Sequence, residues 1–156
     1  MKLIIIRHGS ALPKSDAYSE ENRPLTDNGQ IETKKIGRYL LDFNIDFSAI
    51  WSSPYKRAIQ TKDNIFPLLE NSEHKILNEL LPFESPEKII LKVNQVYEEN
   101  NAIAIISHQP LLGELVATVL GTSSNKFAIV PASLIELSIS KDFNFKLLRF
   151  ISPSQI

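Results

Sequence analysis

Two histidines and several arginines stand where they could do chemistry together. Arg7-His8-Gly9 follows directly on the aliphatic run Leu3-Ile4-Ile5-Ile6, and Ser107-His108 follows a similar run from Ala102 to Ile106. A histidine at such a place can be a nucleophile or an acid/base, and an adjacent arginine can hold an anion. Ser53-Pro54-Tyr55-Lys56-Arg57 follows the short run Ala49-Ile50-Trp51-Ser52, and Asn78-Glu79 follows Ile76-Leu77. The chemistry such a set would serve is phosphoryl transfer through a phosphorylated histidine. His8 would offer a neutral imidazole nitrogen to phosphorus, and nearby positive charge would oppose its protonation. Arg7 and Arg57 would donate forked hydrogen bonds to the phosphoryl oxygens. Arg57 would lie near the start of a helix, an end that itself favours an anion. His108, if protonated, would add a donor, and water would then hydrolyse phospho-His8. No metal-ligand spacing and no cofactor is required.

Taken singly, each residue has a plainer reading. Ser53-Pro54 reads as a helix start, Arg57 as a solvated helix arginine, His108 as a hydrogen-bonded structural histidine and Glu79 as a surface carboxylate. His74, within Asn71-Ser72-Glu73-His74-Lys75, reads as a residue of a polar turn. Their joint placement is what favours a site.

That placement depends on the elements. Residues 2–6 read as a strand buried on both faces. Residues 10–25 are polar, hold two prolines and read as a long loop. Thr26 is a candidate N-cap, and Ile36, Leu40 and Phe43 give a helix to about residue 43. After the strand at 49–52, Ser53-Pro54 opens a helix expected to reach about Leu69. Ile76-Leu77 is a brief third strand. Ser85-Pro86 opens a helix with Ile89, Ile90, Val93, Val96 and Tyr97 on its buried side. Residues 102–106 form another buried strand, and the helix after it ends at Gly121. Ser133 to Ile139 and Phe145 to Ile151 flank Lys141-Asp142-Phe143-Asn144 as a hairpin. This order implies an α/β fold, a three-layer α/β/α sandwich with a mostly parallel central sheet plus an antiparallel edge strand. All four polar motifs would then gather at the carboxyl edge of the sheet, where such folds bind ligands.

Composition narrows the field. The chain has 156 residues, 43% hydrophobic and 22% charged, which suits a single domain over residues 1–156. The formal net charge is −1, so a general nucleic-acid-binding role is not expected. No segment has the length of a membrane span, and the first aliphatic run is too short for a signal-peptide core. A cytoplasmic protein is expected. There is no cysteine, which excludes thiol catalysis and cysteine-ligated zinc.

The residues also resemble a known family. Arg7-His8-Gly9, Arg23-Pro24-Leu25-Thr26 with Gly29, Ser53-Pro54 with Arg57-Ala58 and Gln60-Thr61, Glu79-Leu80 with Pro82, and Ser107-His108 with Pro110-Leu111 and Gly113 occur in the order found in the histidine phosphatase superfamily. This superfamily includes the cofactor-dependent phosphoglycerate mutases, and the chain is most similar to its small SixA-type phosphohistidine phosphatases. The resemblance implies that His8 is the phosphorylated nucleophile and that Arg7, Arg57 and His108 bind phosphate. Arg23 resembles an arginine of the SixA-type motif, at the phosphate or the substrate rim. Larger relatives use an acid after the third strand as proton donor, and Glu79 holds a similar position. The residues after Glu79 depart from the mutase pattern. The stretch from Glu79 to Ser85 is also short, which implies an open site suited to phosphohistidine on a protein such as a phosphotransfer domain. The alternatives are a phosphomonoesterase acting on a small phosphate ester or on phosphoserine or phosphothreonine, and a non-catalytic phosphate-binding module.

Overall fold

Alternating aliphatic side chains along the central strands point to two opposite faces, and each face carries its own core. The computed structural model describes residues 1–67, 72–123 and 127–156. In chain order the elements are β1 Lys2–Arg7, α1 Asp27–Leu41, β2 Ala49–Ser52, α2 Lys56–Ile65, β3 Glu73–Ile76, α3 Pro86–Gln95, β4 Ala102–Ser107, α4 Leu111–Leu120, β5 Leu134–Ile139 and β6 Phe145–Ile151. Short 3₁₀ turns lie at Asn78–Leu80 and Pro153–Gln155.

The strands form one six-stranded sheet in the order β3-β2-β4-β1-β5-β6. Strands β1 to β4 pair in parallel, β5 pairs antiparallel with β1, and β6 pairs antiparallel with β5 at the edge. Leu3 and Ile5 of β1 join Ile103 and Ile105 of β4 in a core with Ile89 and Val93 of α3 and Leu111, Leu112 and Leu115 of α4. Ile4 and Ile6 face the other way, with Ala104, Ile106, Ile36 and Leu40 of α1, and Ala58 and Ile65 of α2. The fold is therefore the expected three-layer α/β/α arrangement, and its antiparallel edge consists of both β5 and β6.

Several boundaries move. Thr26 is the N-cap of α1, its hydroxyl accepting from Gly29 N at 3.0 Å. That helix stops at Leu41, and Phe43 lies beyond it. Helix α2 starts at Lys56 with Tyr55 as its N-cap, later than the Ser53-Pro54 signal indicates. It ends at Ile65, with Phe66 as its C-cap; Leu69 lies outside the described residues. Strand β3 covers Glu73–Ile76, so His74 belongs to an exposed edge strand and Leu77 follows it. Val96 caps α3 and is 41% exposed, outside the buried stripe expected for it. Among the described residues no helix is long and apolar enough to cross a membrane.

Candidate active site

Strands β2, β4 and β1 are neighbours, so Ser53, His108 and His8 emerge side by side at their carboxyl ends. The rings of His8 and His108 have centroids 4.9 Å apart. Arg57, in the first turn of α2, reaches back to them. Its Nε donates to His8 Nε2 at 3.2 Å, and Tyr55 packs between Arg57 and His108, its ring centroid 4.8 Å from Arg57 Cζ and 5.1 Å from the His108 ring.

Close backbone approach holds this edge together. A Cβ on Gly29 would sit 2.0 Å from Ser10 O, and one on Gly9 would sit 2.7 Å from Thr33 Cγ2. Only glycine lets the chain leaving β1 lie this close to the start of α1. Thr61 Oγ1 accepts from Gly9 N at 3.1 Å and donates to Arg57 O at 2.7 Å, joining the His8 loop to α2. Gln60 Oε1 accepts from Leu25 N at 2.8 Å. Arg7 Nη1 donates to Ile129 O at 2.5 Å, and Arg7 N donates to Ser133 O at 3.0 Å. The segment entering β5 thus forms one wall.

The protonation of His8 follows from its partners. Nδ1 lies 2.7 Å from the Gly9 carbonyl and so must donate to it. Nε2 accepts from Arg57, so its lone pair is free of a proton. Burial lowers the His8 pKa to about 3, and the cationic Arg57, Arg7 and Arg23 lower it too, against the opposing bond to Gly9 O. His108 is likewise lowered, by burial first and then by His8 and the same three arginines. Both rings are therefore neutral at pH 7 in the phosphate-free site. Its Nε2 lies 2.7 Å from Ser53 Oγ, while its Nδ1 is buried with no partner. Arg7 Nε is a second buried nitrogen without a partner.

Glu20 is the residue that sequence reasoning missed. Its carboxylate accepts from Arg57 Nη2 at 2.8 Å and from Arg23 Nη1 at 2.9 Å, and its carbonyl accepts from Arg57 Nη1 at 2.7 Å. Arg23 therefore joins the cluster through Glu20, with its Nε on Leu12 O at 2.6 Å. Nothing local distinguishes Glu20 from Glu21, apart from its i,i+3 spacing to Arg23. Ser53 stood in a motif at this edge but read, taken singly, as a helix start; its bond to His108 had no signal. Glu79 pairs elsewhere: Lys92 Nζ lies 3.1 Å from its carboxylate. Its own backbone amide and then Lys92 hold the Glu79 carboxyl below its usual range, the opposite of what a general acid at neutral pH needs.

Among the described residues no three His, Cys, Asp or Glu side chains group as a metal site. An apolar groove of about 440 Å³ lies near the C-terminal ends of α1 and α2, lined by Leu41, Phe47 and Ile65. It holds no histidine, so the chemistry points to the sheet edge instead.

Comparison with known proteins places this geometry in context. The family model of the histidine phosphatase superfamily (branch 1) matches residues 3–80. The chain is 34% identical over 119 residues to the phosphohistidine phosphatase SixA of Escherichia coli K12, covering 75% of this chain and 73% of that one. A structure of the protein histidine phosphatase SixA complexed with tungstate superposes with a TM-score of 0.89 at 26% identity, covering 99% of this chain and 98% of that one. A phosphoserine phosphatase mutant from Entamoeba histolytica, complexed with phosphoserine, shares the fold with a TM-score of 0.75 at 18% identity, covering 99% and 98%.

Proposed function

This chain belongs to the histidine phosphatase superfamily, and from that premise we propose that it is a phosphatase working through a phosphorylated His8, with phosphohistidine on another protein as its substrate. One observation carries the reading: His8 is buried and neutral, with Nδ1–H held on Gly9 O and the Nε2 lone pair beside Arg57.

In the first step the Nε2 lone pair forms the N–P bond while the P–N bond to the substrate histidine breaks. The substrate ring, already protonated on its other nitrogen, takes that bonding pair and departs as a neutral imidazole. The Gly9 carbonyl stabilises the positive charge that develops on the phosphorylated ring through Nδ1–H. In the second step a water oxygen attacks phosphorus, the N–P electrons return to Nε2, a water proton passes to solvent, and phosphate leaves.

Arg57 moves its Nε–H from the His8 lone pair to a phosphoryl oxygen. Arg7 Nε and His108 Nδ1 supply further donors. A buried donor left unpaired costs about 1–3 kcal/mol, and a phosphoryl oxygen would relieve that cost. With Ser53 Oγ–H donating to its Nε2, His108 carries its proton on Nδ1 and donates while neutral. Arg23 lies at the rim, where it shares the Glu20 carboxylate with Arg57 before phosphate arrives.

The substrate choice rests on the leaving group and the relatives. An imidazole has a conjugate acid of pKa about 6.5 and leaves without a strong acid, whereas an alkoxide needs a donor. Glu79, ionised and paired with Lys92, suits the first case. The SixA relative of E. coli is a phosphohistidine phosphatase by name.

The test is rapid quench with a ³²P-labelled phosphohistidine protein. An acid-labile label on His8 is expected, and His8→Ala should abolish both label and turnover. A chelator should leave the rate unchanged. Full turnover by His8→Ala would overturn the mechanism.

A further inference from the structure

We propose that Glu20 is a resident anion of the phosphoryl site, which an incoming phosphate must displace and which thereby sets how tightly the site holds small anions. This deepens the reading above and rests on it.

The Nε and Nη2 atoms of an arginine form the fork that grips two oxygens of one anion. In Arg57 one tine of that fork is on His8 Nε2 and the other is on Glu20 Oε1. A phosphoryl group bonded to His8 Nε2 lies against the same edge. Two anions there would repel each other by the modest amount that a partly exposed carboxylate allows, and would compete for the same edge of Arg57. The carboxylate and the phosphoryl group therefore exclude one another. Arg23 adds a second guanidinium to the same carboxylate, so Glu20 is held as a bound phosphate would be.

The carboxylate is free to leave. Its side chain is 43% exposed and sits on the polar loop between β1 and α1, so it can rotate into solvent without opening a core. The Glu20 carbonyl remains on Arg57 Nη1, which keeps the guanidinium anchored during the exchange. The consequence is selectivity. Free phosphate must displace Glu20 with its own charge alone. A phosphoryl group on a protein brings further contacts to offset that displacement, and product phosphate, lacking them, leaves readily.

Titration calorimetry with inorganic phosphate and with orthovanadate tests this on the unaltered protein and on Glu20→Gln, Glu20→Ala and Glu20→Asp. Glu20→Gln and Glu20→Ala should bind both anions about three- to tenfold more tightly, the scale of one partly exposed charge interaction. Phosphate should inhibit them more strongly by a similar factor. Glu20→Asp keeps the charge and should resemble the unaltered protein. If Glu20→Gln binds phosphate equally or more weakly, Glu20 only positions Arg57 and the proposal falls. The two readings fail separately. Tighter anion binding without phosphohistidine turnover would remove the hydrolase and keep the resident anion. Normal turnover without tighter binding would do the reverse.

Discussion

Arg57 has every nitrogen engaged: Nε on His8, Nη1 on the Glu20 carbonyl and Nη2 on the Glu20 carboxylate. A lysine carries the charge without the fork, so Arg57→Lys should lower kcat/KM by about 100-fold, as read in steady-state kinetics with a phosphohistidine protein. His8 makes a second prediction, about pH. Its folded-state pKa is about 3, below the ordinary histidine value of 6.5. Below pH 6.5 the unfolded chain binds a proton that the folded chain refuses until about pH 3. His8 therefore favours folding fully above pH 6.5 and loses that contribution as pH falls toward 3. Thermal melts of the unaltered protein and of His8→Asn across this window should show a shallower decline for the variant. Identical slopes would mean that His8 is not held neutral. At this scale the sequence exposed the residues with unusual chemistry, His8 and His108, and the arginines beside them in its motifs. It hid Glu20, because a loop glutamate is common and its partner Arg57 lies far along the chain, and it hid the bond that Ser53 makes to His108.

The crossing between the loop after β1 and helix α1 decides whether the site forms. The Cβ of Gly29→Ala would lie 2.0 Å from Ser10 O, a backbone atom that cannot rotate aside. This variant should lose more than about 2 kcal/mol in denaturant unfolding and lose activity with it. An unchanged midpoint would mean that the loop has slack there. Element boundaries explain where sequence reasoning held and where it slipped. Thr26 bonds its own helix, so its signal was local and correct. Ser53 instead faces His108, and α2 begins at Lys56. Strand β3 is exposed along its length and has no apolar pattern to read. Gln60, Thr61 and Gly113 belong to the family motifs, yet their work is structural: the first two brace the loops, and Gly113 N bonds Gln109 Oε1 at 3.0 Å.

At the scale of the whole molecule, the sheet separates stability from chemistry. Ile105 is fully buried in the core under α3 and α4, two residues before the carboxyl end of β4. Ile105→Ala should cost about 2–5 kcal/mol in equilibrium unfolding, while the molecules that stay folded keep a near-normal kcat. A large fall in kcat at full folding would show that the core tunes the site. Legibility also changes with scale. Strands β1, β2 and β4 and the helices were readable because each carries its own apolar pattern. The pairing of β1 with β5 had no such signal, since adjacency across most of the chain is set by the packing of the whole sheet.

That pairing has a consequence for how the chain is made. Strand β1 leaves the ribosome before the other five strands, but its neighbours are residues 102–107 and 134–139. During synthesis the run Leu3–Ile6 waits with both hydrogen-bonding edges bare until most of the polypeptide has emerged. Such a segment can be captured by other chains. Translation stalled after Gly121 should therefore yield an aggregating product that chaperones bind, and release should come only once β5 has been made. The strand that presents the proposed nucleophile is made before the other five strands of its sheet and must wait for both of its partners.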